Sequence, residues 1–194
     1  MKRRIHIGPV AVIEPGVAPD VSFVPPLMRR RLSPLQKMFF ALAREAERMP
    51  SASVVFASRD GEDTLTRRLV EDFHVDGSVS PHRFSASVYN AAPGLWSIFT
   101  KNHAPYTAIA AGDDTIECGL IELLAGREPA LLVYAEETGG GYGVAVEISN
   151  DTGFEVEVGD GEPSRKAIDF AALAAFLRGE ASGMMGRNIS FRRV

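Results

Sequence analysis

Cysteine is almost absent from this chain, and its absence limits the chemistry the chain can perform. A single cysteine in 194 residues excludes an internal disulfide and any cysteine-rich metal site. The four histidines show no metal-ligand spacing and suggest no catalytic triad. A chain that needs no disulfides suits a reducing compartment. We therefore expect a cytoplasmic protein with no bound metal or other cofactor.

Long apolar stretches and a strong net charge are also missing. No segment approaches the roughly 20 apolar residues that span a bilayer. Gly8, Pro9 and Glu14 interrupt the apolar run at the N-terminus too early for a signal peptide. The net charge of −4 gives no general attraction to nucleic acid. The remaining composition, with 45% hydrophobic and 24% charged residues, is that of one globular domain.

The hydrophobic pattern predicts strands that alternate with helices. Five short apolar segments predict strands at 5–13, 53–57, 106–111, 129–135 and 142–148. Helical spacing and N-cap residues predict helices at 34–49, 62–73, 80–99 and 112–124. Pro93 predicts a kink at 90–94 in the third of these helices. This alternation indicates a mostly parallel sheet with helices on both faces and a final antiparallel hairpin strand.

The pattern is weaker at the C-terminal end. A strand at 154–158, a helix at 168–177 and a last edge strand at 189–194 are predicted there. We therefore divide the chain into a main domain at 1–150 and an extension at 151–194 that packs on the same domain.

The turn at 111–114 is the first candidate site, because ligands and nucleophiles gather where a parallel strand leads into a helix. Asp113 or Asp114 would serve there as nucleophile or base. The alternative is a capping box, since Asp114 and Glu117 have the required spacing. Cys118 lies one helical turn further on and is interpreted as a structural thiol.

Two other segments have a functional and a purely structural interpretation. The glycines at 139–143 lack the Gly-Lys-Ser/Thr of a phosphate loop and predict a hairpin. Arg29, Arg30 and Arg31 precede a predicted helix, where they suit an anion or an acidic carrier protein. The alternative for these arginines is a solvated basic loop.

Three segments together resemble a known family: Leu27-Met-Arg-Arg-Arg-Leu-Ser33, Phe84-Ser-Ala-Ser-Val-Tyr-Asn-Ala-Ala-Pro-Gly-Leu-Trp-Ser-Ile98 and Thr107-Ala-Ile-Ala-Ala-Gly-Asp113. They are similar to the β-ketoacyl synthase-like N-terminal-domain family, short proteins of aryl-polyene and related fatty-acid-type pathways. The resemblance covers about residues 5–148, and Tyr89 stands where the family often has histidine.

The resemblance implies one half of a thiolase-type fold, with five strands in the order 3-2-1-4-5 and the last one antiparallel. It places Gly112 where active ketosynthases carry the nucleophilic cysteine. Glycine has no side chain to form an acyl thioester. Ketosynthases also draw two histidines from a second half, for which this chain has no room. Both losses imply a non-catalytic, chain-length-factor-like subunit.

The same resemblance implies a partner and a surface. The expected partner is an active β-ketoacyl-ACP synthase in a heterodimer, with acyl carrier protein as a further contact. The third strand would pair with the partner, and neighbouring side chains would shape the acyl tunnel. The candidate interface and tunnel residues are Tyr89, Asn90, Leu95, Trp96, Phe99, Tyr106, Thr107 and Ile109. Two alternatives stay open: a stand-alone hydrolase or acyltransferase that uses Asp113 or Asp114, and a homodimer that binds acyl chains.

Overall fold

A computed structural model of the chain describes residues 3–47, 49–126, 128–149, 154–160 and 166–194. The described residues form one eight-stranded sheet with helices on both faces. The strands are β1 Arg3–Ile13, β2 Ser53–Ala57, β3 Tyr106–Ile109, β4 Ala130–Glu136, β5 Tyr142–Ser149, β6 Phe154–Asp160, β7 Gly183–Met185 and β8 Ile189–Arg193. The helices are α1 Pro26–Arg29, α2 Pro34–Ala46, α3 Asp63–Asp76, α4 Pro81–Ser87, α5 Ala91–Thr100, α6 Thr115–Ala125 and α7 Phe170–Arg178.

The core has two layers because successive side chains of a strand point to opposite faces. In β4, Leu131 and Val133 pack under α2 and α5, whereas Leu132 and Tyr134 pack under α6 and α7. All seven residues of β4 are buried. The apolar pattern of this segment therefore predicted its place in the interior of the sheet correctly.

The predicted strand order 3-2-1-4-5 is wrong. The observed order is β3-β2-β4-β5-β1-β6-β8-β7, so β1 lies outside β5 and not between β2 and β4. Only the β2–β3 and β2–β4 pairings are parallel, so most neighbouring strands pair antiparallel. The expected antiparallel β5 is present. The place of β1 is set by its pairing with the distant strands β5 and β6, which a local pattern does not reveal. Within the β1–β5 pairing the register shifts between Ile7 and Val10, around Pro9, which has no N–H to donate.

The C-terminal residues extend the same sheet. Strand β6 pairs with β1, β8 with β6, and β7 with β8. The edge position predicted for residues 189–194 is wrong, because β8 has a neighbour on each side. The edge belongs to β7, whose three residues are too few to show a strand pattern in the sequence.

The long kinked helix predicted at 80–99 is two helices. Residues 88–90 separate α4 from α5, and Pro93 is the third residue of α5. In the first turn of a helix the backbone N–H groups have no intrahelical acceptor, so proline costs no hydrogen bond there. The break therefore comes before the proline rather than at it.

The first turn of α2 confirms the predicted Ser-Pro cap. The Ser33 hydroxyl accepts a hydrogen bond from the Gln36 N–H at 3.0 Å, and the Gln36 side chain accepts from the Ser33 N–H at 3.1 Å. This capping box fixes the start of the helix. Its apolar face, which includes Phe39, Phe40 and Leu42, is fully buried.

Candidate functional site

Strand β3 forms one edge of the sheet. Among the described strands its one neighbour is β2, with Tyr106 opposite Val54 and Ile109 opposite Ala57. Tyr106 and Thr107 are exposed, and the strand carries no charged residue and no proline. An uncharged, exposed edge of this kind can accept a further strand.

A groove of about 690 Å³ lies beside this edge. Its walls come from α1, α4 and α5, and Tyr106 of β3 closes one side. Apolar side chains dominate the lining, with Leu27 and Ile98 each 75% exposed. Cavities of this size accommodate small organic ligands. The sequence-predicted residues Asn90, Leu95 and Tyr106 all line the groove.

Trp96 lies inside the core rather than at the groove. It is only 2% exposed, packs edge-on against Phe40 at 5.1 Å between ring centroids, and donates from its indole N–H to Glu47 at 3.1 Å. Phe99 is half-buried beside it, between Phe23 and Phe40. Both residues belong to α5, and their rings anchor this helix to the core.

Tyr89 also faces inward. Its ring lies 6.3 Å from that of Phe56, and a Cβ added to Gly61 would come within 2.7 Å of the tyrosine ring. Gly61 has φ +60°, so this turn requires glycine for two reasons. Burial raises the pKa of Tyr89 to about 12. Of the remaining predicted residues, Thr107 is exposed and Ile109 packs partly into the core.

Gly112 lies in the turn between β3 and α6, as the resemblance implies. It has φ +58°, and an added Cβ would meet no atom within 4 Å. The turn is held by Thr115, whose hydroxyl accepts from the Ala111 N–H at 2.9 Å and donates to the Gly112 carbonyl at 2.7 Å. Gly112 borders a second, polar cavity of about 520 Å³, separate from the apolar groove.

Both candidate aspartates of this turn are engaged with arginines. Asp113 lies 3.3 Å from Arg59, and Asp114 lies 3.1 Å from Arg187. Among the residues the structure describes, no histidine lines the polar cavity.

The predicted capping box of Asp114 and Glu117 is wrong. The Asp114 side chain makes no cap hydrogen bond. The buried Glu117 carboxylate instead accepts from the backbone N–H groups of Arg187 at 2.8 Å and Asn188 at 2.5 Å. It thereby holds the turn between β7 and β8 against α6. Burial, Asp114 and Glu117 raise the pKa of Cys118, the opposite of what a reactive thiol needs.

No prediction from the sequence includes the buried carboxylate at the end of β4. Glu136 is 2% exposed and accepts from the Ser58 hydroxyl at 3.0 Å, from the Asp60 N–H at 3.2 Å and from the Arg59 N–H. Burial raises its pKa. Its role is to hold the loop after β2, because all three donors belong to that loop. The one signal was its position directly after a wholly apolar segment.

A second missed carboxylate, Glu62, stands behind the groove. It is 4% exposed and accepts from the Ser33 hydroxyl and from the Gln36 amide, both at 2.9 Å. The same amide donates to the Ala86 carbonyl of α4 at 3.0 Å. Burial, the largest cause, raises the pKa of Glu62 to about 7, and Glu137 adds to the rise. We call Ser33, Gln36 and Glu62 the carboxylate bracket; it ties α2 to a wall of the groove.

The three arginines lie at the end of α1. Arg29 is the last residue of α1 and Arg30 its C-cap, and all three arginines precede the Ser33 N-cap of α2, as predicted. Arg30 and Arg31 are exposed, and Arg31 lines the rim of the groove. No described helix is long and apolar enough to cross a membrane. Within the described ranges, no three His, Cys, Asp or Glu side chains cluster to hold a metal ion.

Comparison with known proteins identifies the family. Residues 8–141 match the family model described as "Beta-ketoacyl synthase, N-terminal domain". The chain belongs to this family. The match ends before β5 and includes none of the C-terminal extension at 151–194. A search of curated proteins finds no match.

Solved structures confirm the ketosynthase fold. A chain of the complex between the ketosynthase ApeO and its chain length factor ApeC from Xenorhabdus doucetiae superposes with a TM-score of 0.72 at 20% identity, covering 98% of this chain and 99% of that one. The ishigamide ketosynthase/chain length factor gives 0.61 at 13% identity over 81% and 68% of the two chains. The AntDE:AntF complex of a ketosynthase with its acyl-carrier protein gives 0.58 at 12% identity over 76% and 62%.

Proposed function

We propose that this protein is a non-catalytic, chain-length-factor-like subunit. It pairs with an active β-ketoacyl-ACP synthase in aryl-polyene or fatty-acid/polyketide-type biosynthesis and shapes the acyl tunnel of that enzyme. The observation that carries the proposal is the juxtaposition of an uncharged edge strand, β3, with an apolar groove that shares Tyr106 with it. The similarity to ketosynthase/chain length factor complexes supports the same conclusion.

The turn at Gly112 supports a subunit without its own chemistry. A glycine at the nucleophile position has no atom that could carry an acyl group. The neighbouring Asp113 and Asp114 are both held by arginines, which favours a structural role for them. A stand-alone hydrolase or acyltransferase is therefore the weaker alternative, and replacement of both aspartates by asparagine tests it directly. A scaffold keeps the activity of its partner after this change, whereas an enzyme loses turnover.

The groove supports the role in the tunnel. Leu95 and Tyr106 present apolar surface to it, and Asn90 adds a polar amide. Trp96 and Phe99 hold α5 from inside and act on the groove only through the position of that helix. We assign the β3 edge and the groove to the thiolase-like half domain at 1–150, with residues 151–194 as an extension of the same domain.

The basic end of α1 supports a contact with the carrier protein. Arg29, Arg30 and Arg31 offer positive charge beside the groove, and acyl carrier protein is the acidic partner that a pathway of this kind provides. We propose the cytoplasm as the location of the protein, because synthases of this kind use carrier-bound substrates there.

The test is affinity purification of the tagged chain from its native cells, with identification of the co-purifying proteins by mass. A ketosynthase recovered in roughly equal amount supports the proposal. Recovery of the chain alone contradicts the proposal, and a homodimer in size-exclusion chromatography then favours the homodimeric acyl-binding alternative.

A variant of the edge strand sharpens this test. Thr107→Lys places a charge on the exposed part of β3, a change that discourages strand pairing. It should lower recovery of the ketosynthase by about tenfold or more. Thr66→Lys, on the exposed side of α3, makes the same chemical change away from the edge and should leave recovery intact. Equal recovery with both variants would show that β3 is not the contact.

A further inference from the structure

The side chains that line the groove include basic residues and no acidic ones. Its lining includes Arg31 and His82 but no Asp or Glu. Arg31 is exposed at the rim, and its guanidinium forms no ion pair or hydrogen bond with the residues that the structure describes. Six other arginines with a described side chain do pair with carboxylates, for example Arg83 with Asp72 at 2.8 Å. Arg31 therefore remains available to an anion from outside the chain.

The interior of the groove is suited to an alkyl chain. Leu27, Met28, Leu32, Leu95 and Ile98 line it from three directions. The polar side chain at the back, Gln36, is already engaged, because both hydrogens of its amide donate within the carboxylate bracket and to Ala86. A ligand that enters the groove meets apolar surface inside and an unpaired guanidinium at the mouth.

We propose that the isolated chain binds long-chain monocarboxylates in this groove, with the carboxylate on Arg31 and the alkyl chain against Leu95 and Ile98. A guanidinium binds a carboxylate through two parallel hydrogen bonds, and the groove volume of about 690 Å³ lies within the range of ligand pockets. The inference rests on the groove that the proposed function assigns to an acyl chain. It requires no ketosynthase.

Calorimetric titration of the purified chain with dodecanoate and with dodecanol tests the inference. The two probes share a tail and differ in the charge of the head group. Dodecanoate should bind at least about tenfold more tightly than dodecanol, since hydrogen bonds to charged groups are the strong ones. Arg31→Gln should abolish this preference and leave the affinity for dodecanol unchanged. Arg30→Gln, next to it on the chain but outside the groove lining, should keep the preference.

A second pair of variants tests the position of the tail. Gly94 lies on α5 in the groove wall, and Gly94→Leu should fill the groove and weaken both probes by about tenfold or more. Ile98→Ser removes apolar contact at a side chain that is 75% exposed, so it should weaken both probes without threatening the fold. Circular dichroism of each variant verifies that the chain is folded.

The outcomes separate this inference from the proposed function. Equal affinity for the two probes, absence of binding, or an unchanged preference in Arg31→Gln refutes the carboxylate site. If the ketosynthase still co-purifies in that case, the proposed function stands. If dodecanoate binds as expected and no ketosynthase co-purifies, the proposed function fails and the binding site stands.

Discussion

The carboxylate bracket makes the stability of this protein depend on pH in a way that one substitution removes. Glu62 is buried, and only one of its two oxygens has hydrogen-bond donors, those of Ser33 and Gln36. Its second oxygen, Oε2, has no partner in the folded chain. Burial without full compensation favours the neutral acid, which is why the pKa rises from 4.5 to about 7.

The direction of the effect follows from proton binding. Between pH 4.5 and 7 the folded chain holds the Glu62 proton, whereas the unfolded chain releases it. The free energy of unfolding therefore falls as the pH rises through this window, by up to about 1.4 kcal/mol per pH unit. The shift of the pKa from 4.5 to about 7 corresponds to about 3 kcal/mol in total. The stabilisation is complete below pH 4.5 and lost above pH 7.

Glu62→Gln keeps the shape of the side chain and removes the titration. Urea unfolding of the wild type and the variant from pH 4.5 to 8 should give free energies of unfolding that diverge as the pH rises, with the wild type losing about 3 kcal/mol more across the range. Glu47 and Glu136 also have raised pKa values, so the difference between the two proteins is the quantity to compare. Glu71→Gln removes an exposed carboxyl on the same helix and controls for the loss of charge. Parallel curves for the wild type and Glu62→Gln would refute the reasoning.

Three further predictions follow from packing. Trp96→Ala should cost about 3–5 kcal/mol in the free energy of unfolding, measured by urea titration, because the ring is fully enclosed; a loss below about 1 kcal/mol would contradict its place in the core. Gly186→Ala should lower the melting temperature, since the new Cβ would lie 2.6 Å from a Glu117 oxygen, whereas Gly159→Ala, with 3.4 Å to its nearest atom, should be tolerated. Leu95→Ala should lengthen the acyl products of the reconstituted synthase, as judged by mass spectrometry; unchanged products with an intact complex would show that Leu95 does not limit the tunnel.

The elements that local pattern determines could be predicted from the sequence. The strand at 53–57 agrees with β2 at both ends, and the predicted start of the helix at Pro34 agrees with α2. Both depend on residues close together in the chain: a short apolar run in one case, and Ser33, Pro34 and Gln36 in the other. Gly126 ends α6 as predicted.

What depends on distant residues could not be predicted. The place of β1 depends on β5 and β6, whose residues pair with β1 across 130 or more positions of the chain. Two similar N-cap patterns in the sequence form different contacts in the structure, because the contacts of the second depend on residues far along the chain. The pattern at Ser33 forms a capping box. Glu117 instead accepts hydrogen bonds from the backbone N–H groups of Arg187 and Asn188, and no local sequence pattern could predict these contacts. The buried state of Glu62 and Glu136 is equally a tertiary property.

The two edges of the sheet differ in how they are covered, and this difference favours association with another chain at one of them. Strand β1 spans 11 residues and would be a long open edge beside β5. Strands β6 and β8 cover it, so that the far edge is β7, with only three residues. A short edge offers few hydrogen bonds to another chain, which is one way in which proteins avoid unwanted pairing. Strand β3 has no such cover in the described chain, and an apolar groove adjoins it. A chain that closes one edge and leaves the other next to an apolar groove favours association at β3, and this is why Thr107→Lys is the most direct structural test of the proposed pairing.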